Sequence, residues 1–141
     1  MNQKAASKAY AVFRLVTGVN FFMHGVVRFP KMQGFAEHVV GSFTDTILPS
    51  GLVTAYAYAV PVIEVAVGLL LILGLFTQVA LIAGGLLMAT FVFGMAMLEN
   101  WQTVGTQMVY AIVFYLLLRD IHLNAFAIDN RLGTTQADNT N

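Results

Sequence analysis

Three ionisable residues, Arg14, His24 and Glu64, stand inside stretches of sequence that are otherwise apolar. A guanidinium, an imidazole and a carboxyl withdrawn from water can grip the polar head of a lipid-soluble molecule or exchange protons with it. Each is costly to place there: an unpaired charge at the centre of a bilayer costs roughly 2.5 to 3.5 kcal/mol on insertion scales. These groups must therefore be paired, protonated or turned toward water. A second polar set, His24, Arg28, Lys31, Glu99 and Trp101, is expected at one end of the same stretches, where cations and an aromatic ring suit an anionic or polar head group and equally suit an ordinary bilayer interface.

The elements that must position these residues are legible from hydropathy. The chain has 141 residues, of which 58% are hydrophobic and only 10% charged, with a mean hydropathy of +0.75. Lipid is the natural solvent for such a surface. Four segments are long enough to cross a hydrocarbon core: 9–27, 52–76, 79–98 and 101–118. The expected fold is an all-α membrane protein, a bundle of four transmembrane helices. Lys4 and Lys8 ahead of the first segment could suggest a secretory signal, but Arg14 interrupts its apolar run and no small-residue cleavage site follows, so a retained helix is expected.

Only Thr77 and Gln78 separate the second and third segments, which must form a tight antiparallel hairpin. The first connection is long, and from Met32 to Ile47 its apolar residues recur with helical period. This predicts an amphipathic helix over 32–47, lying in the interface or packed as a cap over the bundle's end. Residues 1–132 read as one membrane domain, and the polar segment 133–141 as a disordered tail. An even number of crossings puts both termini on one side. Lys4, Lys8, Arg119 and Arg131 on that side, against Arg28 and Lys31 in the first loop, place the termini in the cytoplasm and the chain in the inner membrane.

On the first segment, Arg14, Thr17, Gly18, Phe21, His24, Gly25 and Arg28 share a face about 120° wide at about 100° per residue. That stripe should point into the bundle. Glu64 lies at the middle of its segment, about 15 Å from the inner boundary, between Arg14 at about 8 Å and His24 at about 22 Å. Side-chain direction favours His24 as its partner and charge neutralisation favours Arg14, so one buried cluster of all three is expected. A structural ion pair that sets helix register is the competing reading. Met88, Phe91 and Met95 on one face of the third segment read as core packing.

Much chemistry is excluded. There is no cysteine, hence no disulfide, thiolate nucleophile or iron–sulfur cluster. His24, His38 and His122 have no metal-ligand spacing, so no metal or haem site is expected. Seven basic residues balance seven acidic ones, which gives no field to recruit nucleic acid.

The run Arg14-Leu15-Val16-Thr17-Gly18, then Phe21-Phe22-Met23-His24-Gly25, resembles the opening of the DoxX family of small membrane proteins. Glu64-Val65-Ala66-Val67-Gly68, continuing to Thr77, resembles that family's second-helix motif, and Phe126-Ala127-Ile128-Asp129-Asn130-Arg131-Leu132 its terminal segment, with Ala127 in place of serine. The resemblance implies a four-helix membrane fold, and for some members the small membrane subunit of a thiosulfate:quinone oxidoreductase. It leads to two expectations. In the first, a quinone-linked subunit has Arg14, His24 and Glu64 bind the head group or handle its protons, with Arg28, Lys31 and Trp101 as further contacts, while a protein partner supplies electrons. In the second, the chain is a non-catalytic accessory of a larger membrane complex. A transporter is disfavoured, because four helices without an inverted repeat leave little room for alternating access.

Overall fold

The computed structural model describes residues 2–130; Arg131, Leu132 and the expected tail at 133–141 lie outside the described residues. All regular structure described is helical. Four helices are long and apolar enough to span a membrane: α1 (Gln3–Val26), α3 (Ser50–Leu73), α4 (Thr77–Met97) and α5 (Trp101–Arg119), with the short α2 (Met32–Ser42) between α1 and α3. The expected fold class is therefore the observed one, and the chain is a membrane protein.

Helix ends follow local chemistry. Asn2 caps α1 by accepting a hydrogen bond from the Ala5 amide at 2.9 Å, which starts the helix six residues ahead of its apolar run. Asn100 does the same for α5 through the Thr103 amide at 3.1 Å. α3 stops at Gly74, whose φ of +64° is a left-handed conformation that glycine adopts at little cost. α2 ends at Ser42, short of the Ile47 expected from periodicity. The hydroxyls of Thr44 and Thr46 bond back to carbonyls of the last turn, and Pro49 follows, both of which compete with further helix. Ile47 is left 90% exposed.

α1 packs most extensively on α3 and α4 on α5, with α3 meeting α4 over a smaller area and a lighter contact closing the ring from α5 to α1. The α1 and α3 pairing is antiparallel and rests on small residues. A Cβ on Gly18 would lie 2.8 Å from the Ile72 amide nitrogen, and one on Gly68 would lie 2.6 Å from the Phe22 Cα, so the backbones touch. Without a hydrophobic drive between helices in lipid, such close approach is what holds them together. The core between the helices is filled by Phe21, Val67, Leu71, Leu81, Met88 and Phe114, where the Phe21 and Phe114 rings meet edge to face at 4.9 Å. α2 lays Ala36 against the bundle and keeps Gln33, Glu37 and His38 exposed. It caps the end of the bundle opposite the termini.

Candidate functional site

Arg14 is buried at the termini end of α1 and reaches away from the other two residues of the expected cluster. Its guanidinium donates to the Asn124 side-chain oxygen at 2.5 Å and the Phe126 carbonyl at 2.9 Å. Asn124 in turn donates to the Thr77 hydroxyl at 3.1 Å. Asp129 accepts from the Phe76 and Thr77 amides at 2.6 and 2.9 Å, and so caps α4 from a segment 52 residues downstream of Thr77. The segment after α5 is thus latched over the turn between α3 and α4. Burial pushes the Asp129 carboxyl up, but the amides of Thr77 and Phe76 and the charge of Arg14 outweigh it and hold its pKa below the ordinary carboxylate value.

Glu64 is buried in the middle of α3, and the residue that meets it is Arg28. The expected meeting of Arg14, His24 and Glu64 does not occur. Packing places Gly25 against Pro61 and Val65, so His24 stands near the right depth. Yet it lies about 80° around the helix from Arg14, at the edge of the stripe, and its side chain is exposed. Arg28, one turn further on and about 40° nearer the centre of the stripe, leans back toward the N-terminus and is long enough to close the pair. Its guanidinium also rests 4.8 Å from the centre of the Phe35 ring on α2. Glu64 is almost wholly enclosed, while 23% of the Arg28 side chain is exposed. Lys31 and Trp101 are exposed and do not join this group.

Arg28 forms part of the wall of a cavity of about 410 Å³ under α2. Phe35, Val39 and Phe43 close it from above, Val53, Ala57 and Val60 form the α3 side, and Phe91, Phe93 and Met95 the α4 side. The lining is mainly apolar, with few polar groups besides Arg28. The Tyr56 hydroxyl bonds to the Thr90 hydroxyl, and the Gln107 side-chain oxygen on α5 is buried with no hydrogen-bond partner among the described residues. A volume of several hundred Å³, a mainly apolar lining and a few convergent polar groups are the marks of a small-molecule site. Sequence reasoning placed Phe91 and Met95 in the core and passed over Tyr56, Thr90 and Gln107. Gln107 carried a signal, being a strongly polar residue within an apolar segment.

The family model for methylamine utilisation protein MauE matches residues 6–118. The chain belongs to the MauE family. The match runs from α1 to the last turn of α5 and takes in every cavity residue, while Asn124 and Asp129 lie beyond it. Membership in MauE corrects the DoxX resemblance drawn from the sequence. The spaced elements that carried that resemblance are packing devices: Gly18 and Gly68 set the approach of α1 to α3, and Arg14 ties down the segment after α5. Their order marks a kind of bundle and does not single out one family that uses it. No curated protein and no solved structure matches the chain.

Proposed function

We propose that this MauE-family chain is the small membrane component of a methylamine utilisation system, and that the cavity under α2 receives the head group of a quinone. The observation that carries the reading is the cavity itself, a mainly apolar chamber with Arg28 set in its wall by Glu64 and Phe35. In this reading an Arg28 N–H donates to a quinone oxygen, and Phe91, Phe93 and Met95 enclose the ring and the start of its tail. Glu64 acts through Arg28, holding it in place and offsetting its charge. In this reading electrons come from a partner protein. With the termini in the cytoplasm, as the distribution of Lys and Arg supports, the cavity lies toward the outer face of the inner membrane.

The test is native mass spectrometry of the protein released gently into lipid nanodiscs. A retained quinone is expected for the wild type and for the rim variant Leu52→Ala, and its loss is expected for Ala57→Phe, which fills the chamber. Absence of quinone from the wild type after supplementation with excess quinone overturns the reading.

An accessory role is favoured by one separate feature. α5 buries only Phe114 and Leu117 and turns Met108, Val109, Ile112 and Tyr115 outward, a face that a partner's helix can cover. Stable co-purification with a partner and no bound quinone would support that role over the first.

A further inference from the structure

α3 and α4 are joined by Gly74, Leu75 and Phe76 alone, yet they pack on each other far less than α1 does on α3. At the α2 end both helices line the cavity, α3 with Val53 and Ala57 and α4 with Phe91 and Met95. The cavity residues that are also open to the outside all belong to this pair: Leu52 on α3, and Thr90 and Phe93 on α4. Leu52 and Phe93 are each 59% exposed. The mouth of the cavity therefore opens sideways, between α3 and α4.

Its depth decides what it faces. α4 has 21 residues, a length of about 31 Å that matches a hydrocarbon core of about 30 Å. Thr90 lies about 10 Å inside the Met97 end of that helix, and Phe93 about 6 Å inside it. The mouth meets acyl chains, not water. Along its deep edge the Tyr56 and Thr90 hydroxyls bond, and among the described residues this is the one side-chain hydrogen bond that ties α3 to α4. Thr90 gives its own hydrogen to the Leu87 carbonyl at 2.7 Å, so Tyr56 is the donor. Leu52 and Phe93 each stand about one turn nearer the α2 end.

A ligand that reaches such a mouth is already dissolved in the bilayer. A chamber of about 410 Å³ is at the small end of the range for a drug-sized molecule, so a long chain attached to the head group has to leave through the opening. We propose that α3 and α4 form a lateral portal: the ligand enters from within the membrane, its apolar chain lies over Leu52 and Phe93, and the bond between Tyr56 and Thr90 is the clasp that opens for its passage. The proposal rests on the reading of the cavity as a quinone site and adds the ligand's route and the seat of its tail.

The experiment uses the intact protein in nanodiscs and two photoreactive analogues of decylubiquinone, one with an azide on the ring and one with a diazirine partway along the tail. Ring adducts are expected inside the chamber, on residues such as Phe35 and Phe91, and tail adducts on Leu52 and Phe93. Tail adducts on α2 or on the lipid-facing side of α1, with ring adducts still inside the chamber, overturn the portal and leave the quinone site standing. Failure of the ring probe to label the chamber overturns the quinone reading and the portal together. The clasp is tested by rate, since one neutral hydrogen bond that must break for passage slows it about fivefold. Tyr56→Phe and Thr90→Val are each expected to speed both uptake and release of decylubiquinone by about that factor, measured by exchange between loaded and empty nanodiscs. Rates unchanged in both variants overturn the clasp.

Discussion

At Arg28 a guanidinium meets a buried carboxylate on one side and a phenyl face on the other, so its direction is set before any ligand arrives. Taking away one partner of a buried pair strands the other, at a typical cost of about 3 to 5 kcal/mol. Arg28→Gln is therefore expected to destabilise by about that amount, and the double variant Arg28→Gln with Glu64→Gln by clearly less than the sum of the two single changes. Unfolding in mixed detergent micelles measures the cycle, and additive losses would show that the pair is not coupled. That Glu64 needs a partner was legible in the sequence, because a carboxyl amid valines and leucines has few alternatives. Which partner was not. His24 has the right depth, and the choice turned on a rotation of about 40° and on the reach of an arginine from one turn beyond. Tyr56, Thr90 and Gln107 were harder still to see, since they come from three different helices and line one cavity only in the folded chain.

Between elements, packing and capping do separate work. The approach of α1 to α3 leaves no room at Gly68, where a Cβ would press on the Phe22 backbone and no side-chain rotation could relieve it. Gly68→Ala is expected to cost about 1 to 3 kcal/mol by overpacking. Gly105→Ala, where a Cβ meets nothing within 4 Å, is expected to stay within about 0.5 kcal/mol of the wild type. Thermal unfolding of the two variants in one detergent makes the comparison, and equal losses would contradict the observed register. The latch across the α3 and α4 turn has its own signature. Asp129→Ala is expected to cost about 1 kcal/mol through the lost cap. Because the folded-state pKa of Asp129 is lowered, its contribution is present above the ordinary carboxylate pKa of about 3.9 and is lost as the pH falls through the lower folded value. The gap in melting temperature between wild type and Asp129→Ala should hold from pH 7 to pH 5 and close in stronger acid; a gap independent of pH would exclude an ionised cap. The helices were legible because apolar runs and terminal Asn and Gly residues act locally. The latch was not, because its donors and acceptors lie 47 to 112 residues apart and no local pattern joins them.

At the scale of the molecule, four spanning helices give the bundle two chemically different ends. One gathers the start of α1, Arg14 and the latched segment after α5, and the other gathers α2, Arg28 and the cavity. Since the chain has no cysteine, single cysteines can report the side of each end on an unaltered background. With the termini in the cytoplasm, Gln33→Cys in α2 is expected to react with an impermeant maleimide added outside intact spheroplasts, and Asn2→Cys only after lysis; the reverse pattern would invert the proposed orientation. The proposed role of the molecule turns on whether a quinone head sits in the cavity under α2. The most direct measurement is photo-crosslinking of an azido-quinone to the protein in its native membrane, with the modified residues mapped by mass spectrometry. Adducts are expected on cavity residues such as Phe35, Tyr56 and Phe91, suppressed by excess unlabelled quinone and lost in Ala57→Phe. Adducts confined to the lipid-facing residues of α1 and α5, such as Val12, Val16 and Ile112, and insensitive to competition would contradict it.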